Sequence, residues 1–308
     1  MGACWSQTQK RSSELDACRH EAAAAGSSRR ASETDVYNLM QDVRTLWMVL
    51  DVRSLDRFSA GHVDSACHCQ PGTLAPDSLH HQVQQHFKDI NVQSGAPVAF
   101  TMLICCDADS QPSLPEVCSL LGAAKLSDPF EMAQLWSFEY TTLHAAFPFL
   151  CTDFPVFEES RVYPSWIADR LFLSHWSLAA DPFVVQTCLH ATHVVNCTRE
   201  LPCCFEDQGV TYHRVPVNDD QTADLLSLLR EAVAFISAAL AEGGVVLVHC
   251  KHGQSRSASV VAAHLMQQRG WDLAQSLAHL QQCRPRVSPN VGFRGQLQSF
   301  HDEMQKVV

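Results

Sequence analysis

Several things are missing from this chain, and each absence removes a class of function. No window approaches 18 uninterrupted apolar residues, so no segment reads as a membrane-spanning helix. The start carries no charged-then-apolar secretory signal. Basic residues are outnumbered, 22 Lys and Arg against 33 Asp and Glu, for a formal net charge of −11. A general nucleic-acid binder needs a basic face, so no nucleic acid is expected as a partner. Lys and Arg are absent altogether between Asp64 and Asp77. Metal-ligand spacing is lacking too. Cys67-His68-Cys69 has no further ligands nearby to complete a tetrahedral site, and neither a metal nor a cofactor is expected.

What is present is length and apolar content. With 308 residues, 46% of them hydrophobic, the chain can build two domains with real cores. Its 14 cysteines lie in apolar runs such as Ile104-Cys105-Cys106 and Val195-Asn196-Cys197. A chain of this size needs no disulfide staples, so most of them read as small buried hydrophobes in a reducing, cytoplasmic setting.

Composition divides the chain. Residues 1–34 are polar and alanine-rich, without an apolar period, and read as a disordered leader. Its first residues, Met1-Gly2-Ala3-Cys4-Trp5-Ser6, fit the myristoylation pattern, with Gly2 as acceptor and Cys4 placed for a palmitoyl chain. One acyl chain binds a membrane only marginally, so Cys4 or the nearby Lys10 and Arg11 would have to help. Peripheral membrane contact through this leader is the expectation.

Residues 35–151 alternate strand and helix patterns, which argues an α/β domain. The strands are Leu46 to Val52 and Pro97 to Cys105, both continuous apolar runs as in a sheet covered on two faces. Helices are expected around Leu79 to Phe87 and Leu114 to Leu121. Residues 152–162, with Pro155, read as a linker. Residues 163–304 read as a second α/β domain with a mostly parallel sheet. Its strands fall at Arg170 to Leu173, His193 to Cys197, Val210 to Val217 and Val245 to Val248. One long helix carries Leu225, Leu229, Val233, Ile236 and Leu240, capped by Thr222 or Asp224. Two more helices follow from Ala258 and Asp272.

The chemistry sits in His249-Cys250-Lys251-His252-Gly253-Gln254-Ser255-Arg256-Ser257, between a buried strand and a helix. The strand delivers Cys250 to the carboxyl edge of a sheet, where α/β proteins bind ligands. Lys251 to Ser255 then curl, so their backbone N–H groups and the helix N-terminus face one concavity suited to a phosphate dianion. The same field favours a thiolate at Cys250. Gly253 lets the loop turn, and the planar fork of Arg256 matches two phosphate oxygens. By composition this string arises by chance on the order of once in ten thousand chains. Ser257 is placed to ease departure of the thiolate, or else caps the helix. Asp219 or Asp220, at the end of a strand, offers the general acid, and Asp219 is favoured.

These residues resemble the dual-specificity subgroup of the protein tyrosine phosphatase family. The likeness extends to Tyr163–Leu173, to the acid-loop segment Tyr212–Asp219 and to Arg284–Phe293. The resemblance implies hydrolysis of phosphotyrosine and phosphoserine or phosphothreonine in proteins through a cysteinyl-phosphate. It assigns the acid to Asp219, with Asn290 and His249 supporting the loop. His252 and Gln254 depart from the family's small and aliphatic residues around the loop glycine. Lys251 and His252 make the rim cationic, which suits highly charged substrates such as a phosphoinositide head group.

Asp51-Val52-Arg53, Phe58, Gly61-His62-Val63, Ala66 and the Phe138–Cys151 segment resemble a rhodanese-like domain. A rhodanese-like domain before a dual-specificity domain is the architecture of MAP kinase phosphatases and their pseudophosphatase relatives. The resemblance points to a MAP kinase partner, but the basic docking cluster is missing from Asp64 to Asp77. Sulfur transfer is not expected, because Cys106 is followed by Asp107 and Asp109 rather than by Gly and Arg. The competing reading is a phosphoprotein-binding pseudophosphatase or scaffold. Such relatives lose the Cys, the Arg or the acid, and all three stand here.

Overall fold

The computed structural model describes residues 28–42, 45–69, 76–88, 98–108, 117, 130–154 and 161–306. Gly2 and Cys4 therefore lie outside the described residues, as does the helix expected at Leu114–Leu121 apart from Val117. The chain divides into two units at Arg161/Val162, each a mixed α/β body.

The first unit holds β1 (Arg29–Arg30), α1 (Glu33–Gln41), β2 (Leu46–Asp51), α2 (Leu55–Ala60), β3 (Cys67–His68), α3 (Pro76–His86), β4 (Val98–Cys106), β5 (Phe130–Glu139) and α4 (Tyr140–Ala146). Its sheet runs β1-β5-β4-β2-β3, with every pairing parallel. Met48, Leu50, Phe100, Met102, Ile104 and Phe130 belong to a buried cluster with Leu79 and Val83 of α3. Parallel strands covered in this way read as continuous apolar runs, which is how β2 and β4 read.

Order begins earlier than the expected end of the leader at residue 34. Ser32 and Asp35 close a capping box on α1, each side chain taking the other's backbone N–H. Arg30 pairs with Glu139 at 2.8 Å, fastening β1 to β5. The expected linker also starts too early. Thr152 donates its N–H to the His62 carbonyl at 2.8 Å, and Phe154 stacks edge-on against Phe149.

The second unit holds β6 (Ser165–Ala168), β7 (Leu171–His175), the short α5 (Trp176–Ala179), β8 (His193–Asn196), β9 (Thr211–Arg214), α6 (Leu226–Ala241), β10 (Val246–Cys250), α7 (Arg256–Arg269), α8 (Leu273–Cys283) and α9 (Val291–Gln305). Its sheet runs β6-β7-β10-β8-β9, parallel except for the edge strand β6. β10 is central and every residue of it is buried. The carboxyl end of β10 is where the chemistry-bearing loop begins.

Both expected caps of α6 are engaged, one of them elsewhere. Asp224 accepts from the Ser227 N–H at 3.1 Å. Thr222 instead donates its N–H and its hydroxyl to Asp220. The remaining free N–H groups of Leu225 and Leu226 go to the Gln296 carboxamide oxygen from α9, at 2.7 and 2.8 Å. Helix α8 closes its own capping box, Asp272 with Gln275.

Candidate active site

Cys250 ends β10, and Arg256 opens α7 six residues later. Between them the backbone bends so that the Gly253 N–H donates to the Cys250 sulfur at 3.2 Å. The Ser257 hydroxyl donates to the same sulfur at 3.1 Å. Burial opposes ionisation of Cys250. The hydrogen bonds from the Ser257 hydroxyl and from the backbone of Ser257, Gln254 and His252 outweigh it, and the thiol pKa falls below its ordinary value. The neighbouring Cys197, fully buried, is pushed well above that value by desolvation and then by Cys250, so it stays a thiol.

Gly253 is required twice over. Its φ is +65°, and a Cβ there would sit 2.5 Å from the Ser174 carbonyl oxygen. The loop is held from outside by a residue that the sequence did not single out. Arg284, buried past the end of α8, donates to the carbonyls of Gly253 at 2.8 Å and His252 at 3.4 Å, and to the Ser165 hydroxyl at 3.2 Å. The Ser288 N–H also bonds the Gln254 carbonyl at 2.9 Å. With its carbonyls taken up outside, the loop is free to turn amides inward.

Arg256 is buried, yet its contacts are loose. NH1 lies 3.4 Å from the Val217 carbonyl and 3.6 Å from a Glu200 carboxylate oxygen. Nε lies 3.9 Å from Asp219 Oδ2, too long for a hydrogen bond, and has no hydrogen-bond partner. A buried guanidinium N–H without an acceptor is costly unless an anion supplies one.

Asp219 Oδ1 accepts from the Ser255 hydroxyl at 2.6 Å and from the Asn290 side-chain amide at 3.0 Å. Asn290 also donates its backbone N–H to Ser255 Oγ at 3.2 Å and caps α9 through the Phe293 N–H at 2.9 Å. The Asp220 carboxylate is committed to Thr222, which holds its pKa below the usual range. Of the two candidate acids, Asp219 is the one brought to the loop.

His249 is buried at the end of β10. Desolvation first, then repulsion from Arg214 and Arg256, lowers its pKa to about 4, and its Nδ1 has no hydrogen-bond partner. Lys251 and His252 are exposed and Gln254 is half-buried.

Glu200 is the second residue that sequence reasoning passed over. It sits in a built turn after β8. The Thr198 hydroxyl donates to Asn196 Oδ1 at 2.7 Å and accepts from the Leu201 N–H at 3.2 Å. Arg199 Nε reaches the Pro216 carbonyl at 2.7 Å. The Glu200 carboxyl pKa is lowered, by backbone N–H groups first and also by Arg256, against a smaller desolvation cost.

A central parallel strand ending in a buried low-pKa cysteine, then a cup of amides closed by an arginine, defines a class. It is the class of α/β proteins that seat a phosphoryl dianion above a cysteine sulfur. Within that class, the chain belongs to the dual-specificity phosphatases. Residues 171–303 match the family described as the dual specificity phosphatase catalytic domain. The chain is 39% identical over 142 residues to dual specificity protein phosphatase 1 of Arabidopsis thaliana, covering 46% of this chain and 71% of that one. It is 42% identical over 142 residues to protein phosphatase Slingshot homolog 3 of Rattus norvegicus, covering 46% of this chain and 21% of the relative. The chain thus spans about a fifth of the length of the Slingshot proteins it matches. A longer alignment, 27% identical over 250 residues, covers 72% of this chain and 59% of human dual specificity protein phosphatase 5.

Proposed function

We propose that the chain is a protein phosphatase that hydrolyses phosphotyrosine and phosphoserine or phosphothreonine through a cysteinyl-phosphate. The observation that carries this is the Cys250 sulfur, hydrogen-bonded by a loop amide and by Ser257, beside a buried Arg256 whose Nε lacks an acceptor. In this reading the Cys250 thiolate attacks phosphorus while Arg256 and the loop amides hold the equatorial oxygens. The ester P–O bond breaks, and the Asp219 carboxyl gives its proton to the leaving oxygen. Water then attacks the phosphocysteine, Asp219 takes the proton, and the sulfur leaves as a thiolate stabilised by Ser257. Arg284, Asn290 and Ser255 position the loop and the acid.

The test is hydrolysis of an aryl phosphate and of phosphopeptides with phosphate release followed directly. Turnover abolished by Cys250→Ser and strongly reduced by Asp219→Asn supports the reading. Tight phosphopeptide capture with no phosphate release from the wild-type chain refutes it in favour of a binding module.

For the first unit the proposal is a non-catalytic rhodanese-like domain. Its all-parallel sheet supports this, and so does the 250-residue alignment, which is longer than the second unit alone. Cys106, at the end of β4, donates to the Phe138 carbonyl, and burial, then Glu139 and Asp107, push its thiol up to about 11. A thiol held protonated is no sulfur acceptor. Membrane attachment through Gly2 and Cys4 remains part of the proposal. Equal membrane partition of the intact chain and a Gly2→Ala variant would defeat it.

A further inference from the structure

The loop from Cys250 to Arg256 accounts for one anion, yet the charges around it are sorted further than one phosphate requires. Three segments meet on the β7 side of the loop. His175 stands opposite Cys250 in the β7–β10 ladder. The Trp176 N–H bonds the Lys251 carbonyl at 3.4 Å. Arg284 grips the carbonyls of His252 and Gly253, which brings Arg286, two residues on, to the same rim. Together these segments carry His175, Lys251, His252 and Arg286.

Lys251, His252 and Arg286 are exposed, and no side chain or backbone group among the described residues pairs with theirs. Elsewhere arginines find acceptors, carboxylates as Arg30 does with Glu139, Arg53 with Asp51 and Arg230 with Glu303, or backbone carbonyls as Arg199 does with Pro216 and Arg294 with Pro289. In a chain with 33 acids to 22 bases, cations left without a partner on one rim are a departure from its own habit. From Cys250 to His301 the sequence has six Lys and Arg and a single acid, Asp272. The carboxylates lie on the other side of β10. Glu200 follows β8 and Asp219 follows β9, and both face Arg256. The pKa of His175 is lowered by burial and then by Arg284, Arg286 and His252, in keeping with one shared cationic field.

Resting on the phosphatase reading above, we propose that the β7-side rim is a second anion subsite that binds acidic side chains flanking the phosphorylated residue of a peptide substrate, on one side of that residue only. An extended peptide advances about 3.3 Å per residue, so the first few flanking residues span the rim built beside Cys250. A peptide leaves the loop toward one wall. An inositol ring bearing several phosphates would also present anions to the Glu200 side of the loop, whose carboxylate repels them.

The experiment measures kcat/KM for phosphotyrosine peptides with neutral flanks, with a Glu cluster on the N-terminal side, with the same cluster on the C-terminal side, and with a second phosphoserine in its place. Each is run with wild type, Arg286→Ala and Arg286→Glu, beside an aryl phosphate and phosphatidylcholine vesicles containing a phosphatidylinositol phosphate. Arg286 has no partner to lose, so its variants are expected to fold. The expected result is that one acidic side raises kcat/KM about fivefold through KM, the scale of a few exposed ion pairs. That gain shrinks in Arg286→Ala and turns into a penalty in Arg286→Glu, while aryl phosphate turnover stays within about twofold across all three. Equal effects of both acidic sides, no effect of either, or a gain indifferent to Arg286→Glu would overturn the subsite. So would vesicles turned over better than every peptide in a manner lost with Arg286→Glu. A wild-type chain inert toward the aryl phosphate would instead strike the phosphatase reading itself.

Discussion

Ser257 lies in the first turn of α7 but does not cap it, and its hydroxyl reaches back 3.1 Å to the Cys250 sulfur. It is the largest influence lowering the Cys250 pKa against burial. Removing a hydrogen bond to a charged group costs about 1.5 kcal/mol, which is about one pKa unit. Ser257→Ala should therefore move the pH midpoint of Cys250 alkylation by iodoacetamide up by about one unit, and an unmoved midpoint would deny the contact. Glu200 calls for the opposite sign of reasoning. Its carboxylate, kept ionised by backbone N–H groups and by Arg256, lies where an incoming dianion is repelled. An exposed ion pair with Arg256 is worth little in return, at most about 1 kcal/mol. Glu200→Gln keeps the shape and removes the repulsion, so inorganic phosphate should inhibit the variant at a several-fold lower concentration. Unchanged inhibition would mean that Glu200 turns away when the anion arrives. At this scale the sequence was readable where the site is contiguous: Cys250 to Ser257 carry strand end, cup, clamp and hydroxyl within eight positions. Glu200 and Arg284 were not readable. Each acts across a sequence distance of 30 residues or more, and a lone Glu or Arg looks the same on a bare surface.

Elements show the same division. β2, β4, β8 and β10 announce themselves as apolar runs because both faces of a parallel sheet are covered. β5, Phe130–Glu139, mixes Glu131, Gln134 and Ser137 with apolar residues and gave no such signal, although it pairs with β4 along its whole length. α1 was hidden in a polar stretch and is fixed by its capping box rather than by composition. The joint between α9 and the acid-bearing loop was also unreadable. At Gly292, in the first turn of α9, a Cβ would stand 1.8 Å from the Gln221 carbonyl oxygen, two residues past Asp219. One methyl group must push the loop or the helix aside, and small misplacements of a catalytic group are costly. Gly292→Ala should lower kcat about tenfold or more on a phosphopeptide, while the alkylation midpoint of Cys250 stays put. A kcat within twofold of wild type would show that the joint has slack.

At the scale of the whole molecule, histidines rather than carboxylates set the first response to acid. Among the described residues, five histidines have pKa values lowered chiefly by burial: His86 in the first unit, and His175, His213, His249 and His264 in the second. For His249 and His264 the value falls from 6.5 to about 4. Between those values the unfolded chain binds protons that the folded chain refuses, so stability rises with pH across that window and is lost as pH falls through it. Two groups shifted this far contribute roughly 3 kcal/mol each once the pH drops to the folded value, a large share of the stability of an ordinary domain. Carboxylates held low by hydrogen bonds, such as Glu200 and Asp220, lose their contribution only below about pH 4 and so act later. Thermal unfolding of the full chain should therefore show its second-unit transition moving down as pH is lowered from about 6.5 toward 4, further than the transition of the first unit, which has a single such histidine among the described residues. His264→Asn should narrow the gap between the second-unit midpoints at pH 7 and pH 5, whatever it does to the midpoint itself. A second-unit midpoint that holds level from pH 6.5 to 4 would mean that these imidazoles are charged inside the fold, and the neutral His249 behind Cys250 would have to be given up with them.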